Sequence, residues 1–444
     1  MGKTTWWATL TCAVPVVLAL LACEQGGANP NQKGVGNQPG GVQLGIGDIA
    51  VAPVGNYVLF TRDNKLAVGW VDSGQIQPLP VDSPSRLAFS DQRSVVYVGS
   101  ESSGEVDAVD VKAQSVLWRS PVDDASTIGL RLESSKDDRF VVAASAHRIQ
   151  VIDAASGHER LSRYFDSGIA DIELLPDSSR ALVEEPETWQ GEAPTTRVTL
   201  IELGSGATTT INVPNCADRI VISADGKRAF LAPTHCSKDP VSVIDLSPGS
   251  EAFDKNLPGF GPVARAPHGN IAVAFYDRDQ GDPSLFDDPS QMPGPDSARY
   301  QLMLIDTGTL HYDFAEVGDA LPRFAVTPDG NVLLVDSSWT GDTARIFDVP
   351  SRSFRPLSGP VVKLDNFAMS SDSEHAYVLQ NDVFDLDIAA AKASHFGLDF
   401  TPENINISAD DGYLFLRRND SEICIYDIAA RTCRQRFLVP TTAR

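Results

Sequence analysis

From about residue 46 onward the apolar positions come in short runs whose spacing is that of strands. In residues 321–336, "LPRFAVTPDGNVLLVD", Phe324 and Val326 alternate with Ala325, a turn follows at Thr327-Pro328-Asp329-Gly330, and Val332 to Val335 form a second apolar run. Two such runs about a Pro-Asp-Gly turn predict a β-hairpin. Arg323 is the odd residue, a charge at the head of a strand otherwise composed for a core. No long amphipathic helical period interrupts the pattern.

The hairpin recurs. Aligned on the turn, the matches are "APVGNYVLF" from Ala52, "SDQRSVVYV" from Ser90, "SKDDRFVVA" from Ser135, "LPDSSRALV" from Leu175, "SADGKRAFL" from Ser223, "APHGNIAVA" from Ala266, "TPDGNVLLV" from Thr327, "SSDSEHAYV" from Ser370 and "SADDGYLFL" from Ser408. The intervals are 38, 45, 40, 48, 43, 61, 43 and 38 residues. Most units continue with a second apolar run that ends in an acid, such as "IQVIDA", "VSVIDL" or "ICIYDI", and then a fourth short strand. Four antiparallel strands in about 40 residues is the period of a propeller blade. The fold class expected is therefore all-β, a β-propeller of four-stranded antiparallel blades. Nine units are counted, but the one around 370–397 is short, so the expectation is a ring of seven to nine blades. The turn "SADGKRAFLA" followed by "VSVIDL" resembles the YVTN/WD40-like bacterial propeller repeats. That resemblance spans residues 46–440 and implies a single propeller domain.

Within that register, the residue four places before each turn is Asp48, Arg86, Arg131, Asp171, Arg219, Pro262, Arg323, Asn366 and Asn404. All but Pro262 are polar. Strand neighbours alternate faces, so these positions and those two residues on are expected to look into the central channel, and the apolar positions between them to pack between blades. Two readings of the ring stay open. It binds the anionic group of a ligand through paired arginine donors, or it is a collar of ion pairs closed on itself, Arg against Asp48, Asp171, Glu133 and Glu173.

The cysteines test the register. Cys216 and Cys236 are symmetric about the turn at Asp225-Gly226, and Cys424 and Cys433 flank the turn at Ala429-Ala430. Both spacings suit cross-strand bridges within one blade, giving Cys216–Cys236 and Cys424–Cys433. The long interval holds an insertion at residues 277–298, rich in Asp, Pro and Gly, expected as a surface loop. Its Asp277, Asp279, Asp282 and Asp288 could supply oxygen ligands to Ca²⁺. Arg278 and a glycine one place early for an EF-hand favour a plain solvated acidic loop instead. No other cofactor is expected.

The N-terminus reads differently. Lys3 precedes an apolar stretch, "TLTCAVPVVLALLA" from Thr9 to Ala22, which has the length of a signal peptide h-region. "LLAC", Leu20 to Cys23, resembles the bacterial lipobox. The resemblance implies that residues 1–22 are removed and that Cys23 is lipidated. Glu24 in place of Asp implies the outer membrane over the inner. Residues 23–45, rich in Gly, Asn and Gln, read as a flexible tether reaching roughly 25 Å. A net charge of −23, from 36 Lys and Arg against 59 Asp and Glu, argues against a nucleic-acid partner.

Catalytic signatures are missing from the sequence: C-x-x-C-H, H-E-x-x-H, G-x-S-x-G and a phosphate-cradling glycine loop. The seven histidines are scattered. Quinone-dependent propeller enzymes carry tryptophans in every blade, and only four tryptophans follow the signal segment. The expected function is a lipid-anchored envelope module that binds or scaffolds a protein partner or a small anionic ligand. The alternatives are a channel-site hydrolase of the lactonase type and a non-catalytic subunit of a larger envelope complex.

Overall fold

The computed structural model describes residues 42–43 and 49–438, except 63, 101–102, 123–129, 191–192, 218, 234–238, 280–281, 320–321, 338–343, 365 and 420–421. Residues 1–41, which hold the expected signal segment, Cys23 and most of the expected tether, and also Asp48 and Cys236, lie outside the described residues.

Nine sheets follow one another in chain order, each with four consecutive antiparallel strands, and all nine counted units are complete blades. The short unit is no exception: its strands are Asn366–Met369, His375–Leu379, Val383–Asp387 and Lys392–His395. Burial explains why the ring is closed. Among the described residues nine apolar clusters form, and each joins one blade to the next. The last one joins blade 9 to blade 1, with Phe415, Ile423, Ile425 and Phe437 against Ile49, Val58, Phe60 and Ala67. Blade 1 takes all four strands from the first unit and blade 9 from the last, so the ring closes by side-chain packing and not by a shared strand.

The repeated turn has a defined chemistry. The connection between the first and second strands is five residues long in every blade, from 52–56 to 408–412. Where the turn opens Ser/Thr-x-Asp, in blades 3, 5, 7, 8 and 9, the hydroxyl donates to that Asp, as in Thr327 to Asp329 (2.6 Å) and Ser408 to Asp410 (2.6 Å), and accepts the N–H that starts the next strand, as from Val332 and Tyr413. In seven of the nine turns the fourth residue takes a left-handed φ, 76° at Gly330 and 71° at Gly226, which glycine adopts without strain. The acid closing the third strand is also structural. Asp306, Asp387 and Asp427 each accept the N–H three residues on, at 2.7–2.8 Å.

These tight turns share one face of the ring with the four- to six-residue connections between third and fourth strands. Connections on the opposite face vary from one residue, Ser83, to 22, residues 278–299. We call the two sides the turn face and the loop face. The insertion is less of a free loop than its composition suggested. Phe286, 6% exposed, packs edge-on against Tyr276 (5.8 Å between centroids) and beside Phe314, fixing the loop to blade 6.

One boundary shifts from expectation, and an expected disulfide forms. Val42–Gln43, assigned to the tether, forms a strand beside the inner strand of blade 2 (Pro84–Phe89). The Cys424–Cys433 bridge forms between the third and fourth strands of blade 9, with Cα atoms 5.9 Å apart, diagonally across a bulge. Cys216 is disulfide-bonded as well, and its expected partner Cys236 lies outside the described residues.

Candidate functional site

Every inner strand starts at the loop face, which brings its first polar residue there. The side chains do not point as the strand alternation alone suggested. In a ring both faces of a blade are covered, so Phe324 and Val326 pack against blade 6 while Ala325 packs against blade 8. Only the strand edge borders the channel. The polar residues share the face of Ala325 and therefore reach toward the following blade, so the expectation that they look straight into the channel is corrected.

The consequence is a series of links from blade to blade. Glu133 of blade 3 (inner strand Arg131–Ser134) accepts the Leu174 N–H of blade 4 at 2.9 Å. Arg131 pairs with Asp171 of blade 4 (inner strand Asp171–Leu174) at 3.2 Å. Asp171 in turn accepts the Ile220 N–H of blade 5 at 3.2 Å. Across the ring, Asp336 accepts the Leu364 N–H ahead of blade 8 at 2.6 Å. Arg323 stands opposite Asp336 in the blade 7 hairpin, and its charge partly offsets the rise that burial imposes on the Asp336 carboxyl.

Blades 3 to 6 share a dense polar sector. Arg131, Asp171 and Arg219 from the predicted ring meet Glu133, Glu173 and Arg265 there. Burial pushes Glu133 up to about 8, against the pull of the Leu174 N–H. Glu173 is held well above the usual carboxylate range by burial first and then by the like charges of Glu133 and Asp171. Burial lowers the Arg265 guanidinium, with Glu173 opposing. Burial in this sector therefore favours the neutral carboxyls of Glu133 and Glu173, with arginines on both sides. Arg86 sits at its inner-strand position in blade 2, next to the sector; Asn366 and Asn404 sit at theirs in blades 8 and 9, and Asn404 turns back to accept the Ile405 N–H at 2.7 Å. Pro262 falls where the blade 6 inner strand is bulged.

Sequence reasoning missed Asp336 and Glu184, which lie on second strands opposite Arg323 and Asp171. It also missed Arg265, at a position assigned to packing. For the first two, pairing the hairpin register across the turn was the available signal.

At the loop face a cleft of about 330 Å³ opens between blades 3 and 4, lined by Arg131, Ser145, His147, Ser167, Gly168 and Ile169. His147 Nδ1 lies 3.1 Å from the Phe165 carbonyl, and its ring stacks on Tyr164, itself 61% exposed. A guanidinium and an imidazole thus stand at the mouth of the cleft, at the head of the polar sector.

The insertion's acids are otherwise employed. Asp277 pairs with Arg299 at 3.0 Å and Asp279 with Arg278 at 3.1 Å. Asp282 and Asp288 each accept the N–H two residues on, at 2.8 Å, heading the short 3₁₀ turns Pro283–Leu285 and Pro289–Gln291. The four do not converge, and among the described residues no group of three or more His, Cys, Asp or Glu could hold a metal ion.

No family model matches the sequence, and no curated protein does. Solved structures of similar fold include a eukaryotic initiation factor, at 11% identity and TM-score 0.57, with 91% of this chain and 92% of that one covered. Weaker likenesses are to hydrazine synthase of Kuenenia stuttgartiensis (15% identity, TM-score 0.40, 80% and 95% covered) and to the dihydro-haem d1 dehydrogenase NirN (19%, 0.45, 71% and 66%). The likeness is one of fold alone.

Proposed function

We propose that this chain is a lipid-anchored envelope β-propeller that binds or scaffolds a partner at its loop face, with Cys23 as the anchor. One observation carries the binding reading: the variable connections, the heads of the polar inner strands and the Arg131 cleft all occupy the same face, whereas the opposite face is uniform tight turns. A rigid scaffold with variation confined to one side is the arrangement of a recognition surface. The arginine and histidine at the cleft mouth suit an anionic group of the partner or a small anionic ligand.

The test is a pull-down of the membrane-anchored protein with mass spectrometry, run beside two variants. Arg131→Ala alters the loop face, and Lys227→Glu alters the turn face at an exposed residue. A partner lost with the first and kept with the second is the expected result. Equal recovery from all three overturns the assignment of the face. Independently, Cys23→Ser should move the protein to the soluble fraction, and continued membrane association would sink the anchor.

A further inference from the structure

A second cleft lies at the rim of the ring, on blade 6. It holds about 320 Å³ and runs between the insertion and the fourth strand of the blade, Tyr312–Gly318. Gln291, Pro293 and Ser297 line the insertion side, and Gln301, Phe314 and Glu316 line the blade side. A space of this size admits one side chain and not a cofactor.

Both walls are fixed. Met292 packs on the apolar cluster between blades 5 and 6, Phe286 meets Tyr312 edge-on at 6.3 Å, and Asp287 pairs with Lys255 of blade 5 at 2.8 Å. Beyond them Arg278 donates to the carbonyls of Pro295 (2.8 Å) and Ser297, and the Ser297 hydroxyl donates to the Gly294 carbonyl at 2.6 Å. The other wall is the sheet itself, where Gln301 of the third strand (Tyr300–Asp306) stands opposite Glu316.

The two walls present acceptors. Gln301 is 2% exposed, and its Nε2 donates to the Ala298 carbonyl at 3.4 Å. That leaves Oε1 without a partner among the described residues. The oxygen is not sealed in the interior, so it is reached from the cleft that Gln301 lines. Glu316 is exposed and makes no hydrogen bond or ion pair among the described residues. Asp313, at the end nearer the turn face, already holds the Arg352 guanidinium of blade 7 at 2.5 Å. None of the lining side chains is basic. Apart from the Gln291 amide, the lining side chains with spare capacity are therefore acceptors, set around the ring of Phe314.

Such a set complements a planar cation with several N–H donors. A guanidinium can reach a carboxylate and an amide oxygen with different N–H groups while its plane lies on an aromatic ring, which an ammonium cannot do. We propose that this cleft binds the guanidinium of an arginine side chain carried by a partner protein, with Glu316 as counter-ion, Gln301 Oε1 as second acceptor and Phe314 as the stacking surface. The site takes the opposite charge from the Arg131 cleft, and it rests neither on the loop-face reading nor on the anchor.

The probe is N-acetyl-arginine methylamide, and the control is its citrulline counterpart, which keeps the shape and loses the charge. Binding to the full chain is followed by saturation-transfer NMR. The arginine probe should bind and the citrulline probe should not. Glu316→Gln should weaken the arginine probe about 5- to 10-fold. A chain of net charge −23 attracts any cation, so Glu374→Gln, at an exposed acid in the blade 8 turn, is the reference and should leave the affinity unchanged. Arg131→Ala should leave it unchanged too, which separates this site from the loop-face cleft. Absence of binding by the arginine probe, equal binding of the two probes, or equal weakening by Glu316→Gln and Glu374→Gln overturns the proposal.

Discussion

Glu133→Gln is the sharpest probe of the polar sector. Glu133 is 4% exposed, and burial moves its carboxyl from an ordinary 4.5 to about 8. Between those values the folded protein keeps a proton that the unfolded chain has released. A raised carboxyl therefore makes wild-type stability fall as the pH rises from about 5 to about 8, at up to about 1.4 kcal/mol per pH unit. Over that window the ceiling is on the order of 4 kcal/mol. Glutamine keeps the carbonyl that accepts the Leu174 N–H and has nothing to ionise, so the variant is spared this loss. With roughly 2 cal/mol/K of unfolding entropy per residue over the 390 residues from 49 to 438, each pH unit should separate the two melting temperatures by about 2 °C. The assay is thermal unfolding followed by circular dichroism at pH 5, 6, 7 and 8. The curves should diverge steadily, with the variant the more stable at pH 8. Parallel curves would show that Glu133 is ionised in the folded state and refute the account of the sector.

Phe437→Ala, at the junction that closes the ring, should cost about 3–5 kcal/mol in chemical denaturation, because the residue is buried between blades 9 and 1. A loss under 1 kcal/mol would mean that the last junction does not hold the ring. Cys433→Ser opens a loop spanning nine residues of separation and should cost about 2–3 kcal/mol, measured against wild type under non-reducing conditions. Arg131→Ala leaves Asp171 with its backbone donors and the charge of Arg219, and should destabilise by about 1–3 kcal/mol, discounted for the half-exposed guanidinium. Adding Asp171→Asn should restore part of that loss, and strict additivity would argue against the pair.

The repeat made most of the architecture legible. A Ser/Thr-x-Asp turn, present in five of the nine blades, and an acid closing the third strand, present in eight, are local devices satisfied within a few residues, so their chemistry is visible in the sequence. The nine-unit count and the Cys424–Cys433 pairing came from the same local register. The site was legible only in part. The slot occupied by Arg86, Arg131, Asp171, Arg219 and Arg323 was found by alignment, but alternation along one strand cannot say what covers each of its faces.

Tertiary structure decided that. Because each blade is sandwiched between two others, the polar slot turns toward the following blade, and Glu133 and Asp171 end on backbone N–H groups 41 and 49 residues further along the chain. Long-range burial likewise sets the protonation of Glu133 and Glu173, and ring closure turns a row of blades into an enclosed channel with an open strand edge. Val42–Gln43 can pair with Arg86 and Leu87 only once that edge exists. The blades and their turns are encoded locally, since they rest on contacts between neighbours in the chain. The geometry of the ring determined what the polar residues touch, since that depends on which distant surface closes over them.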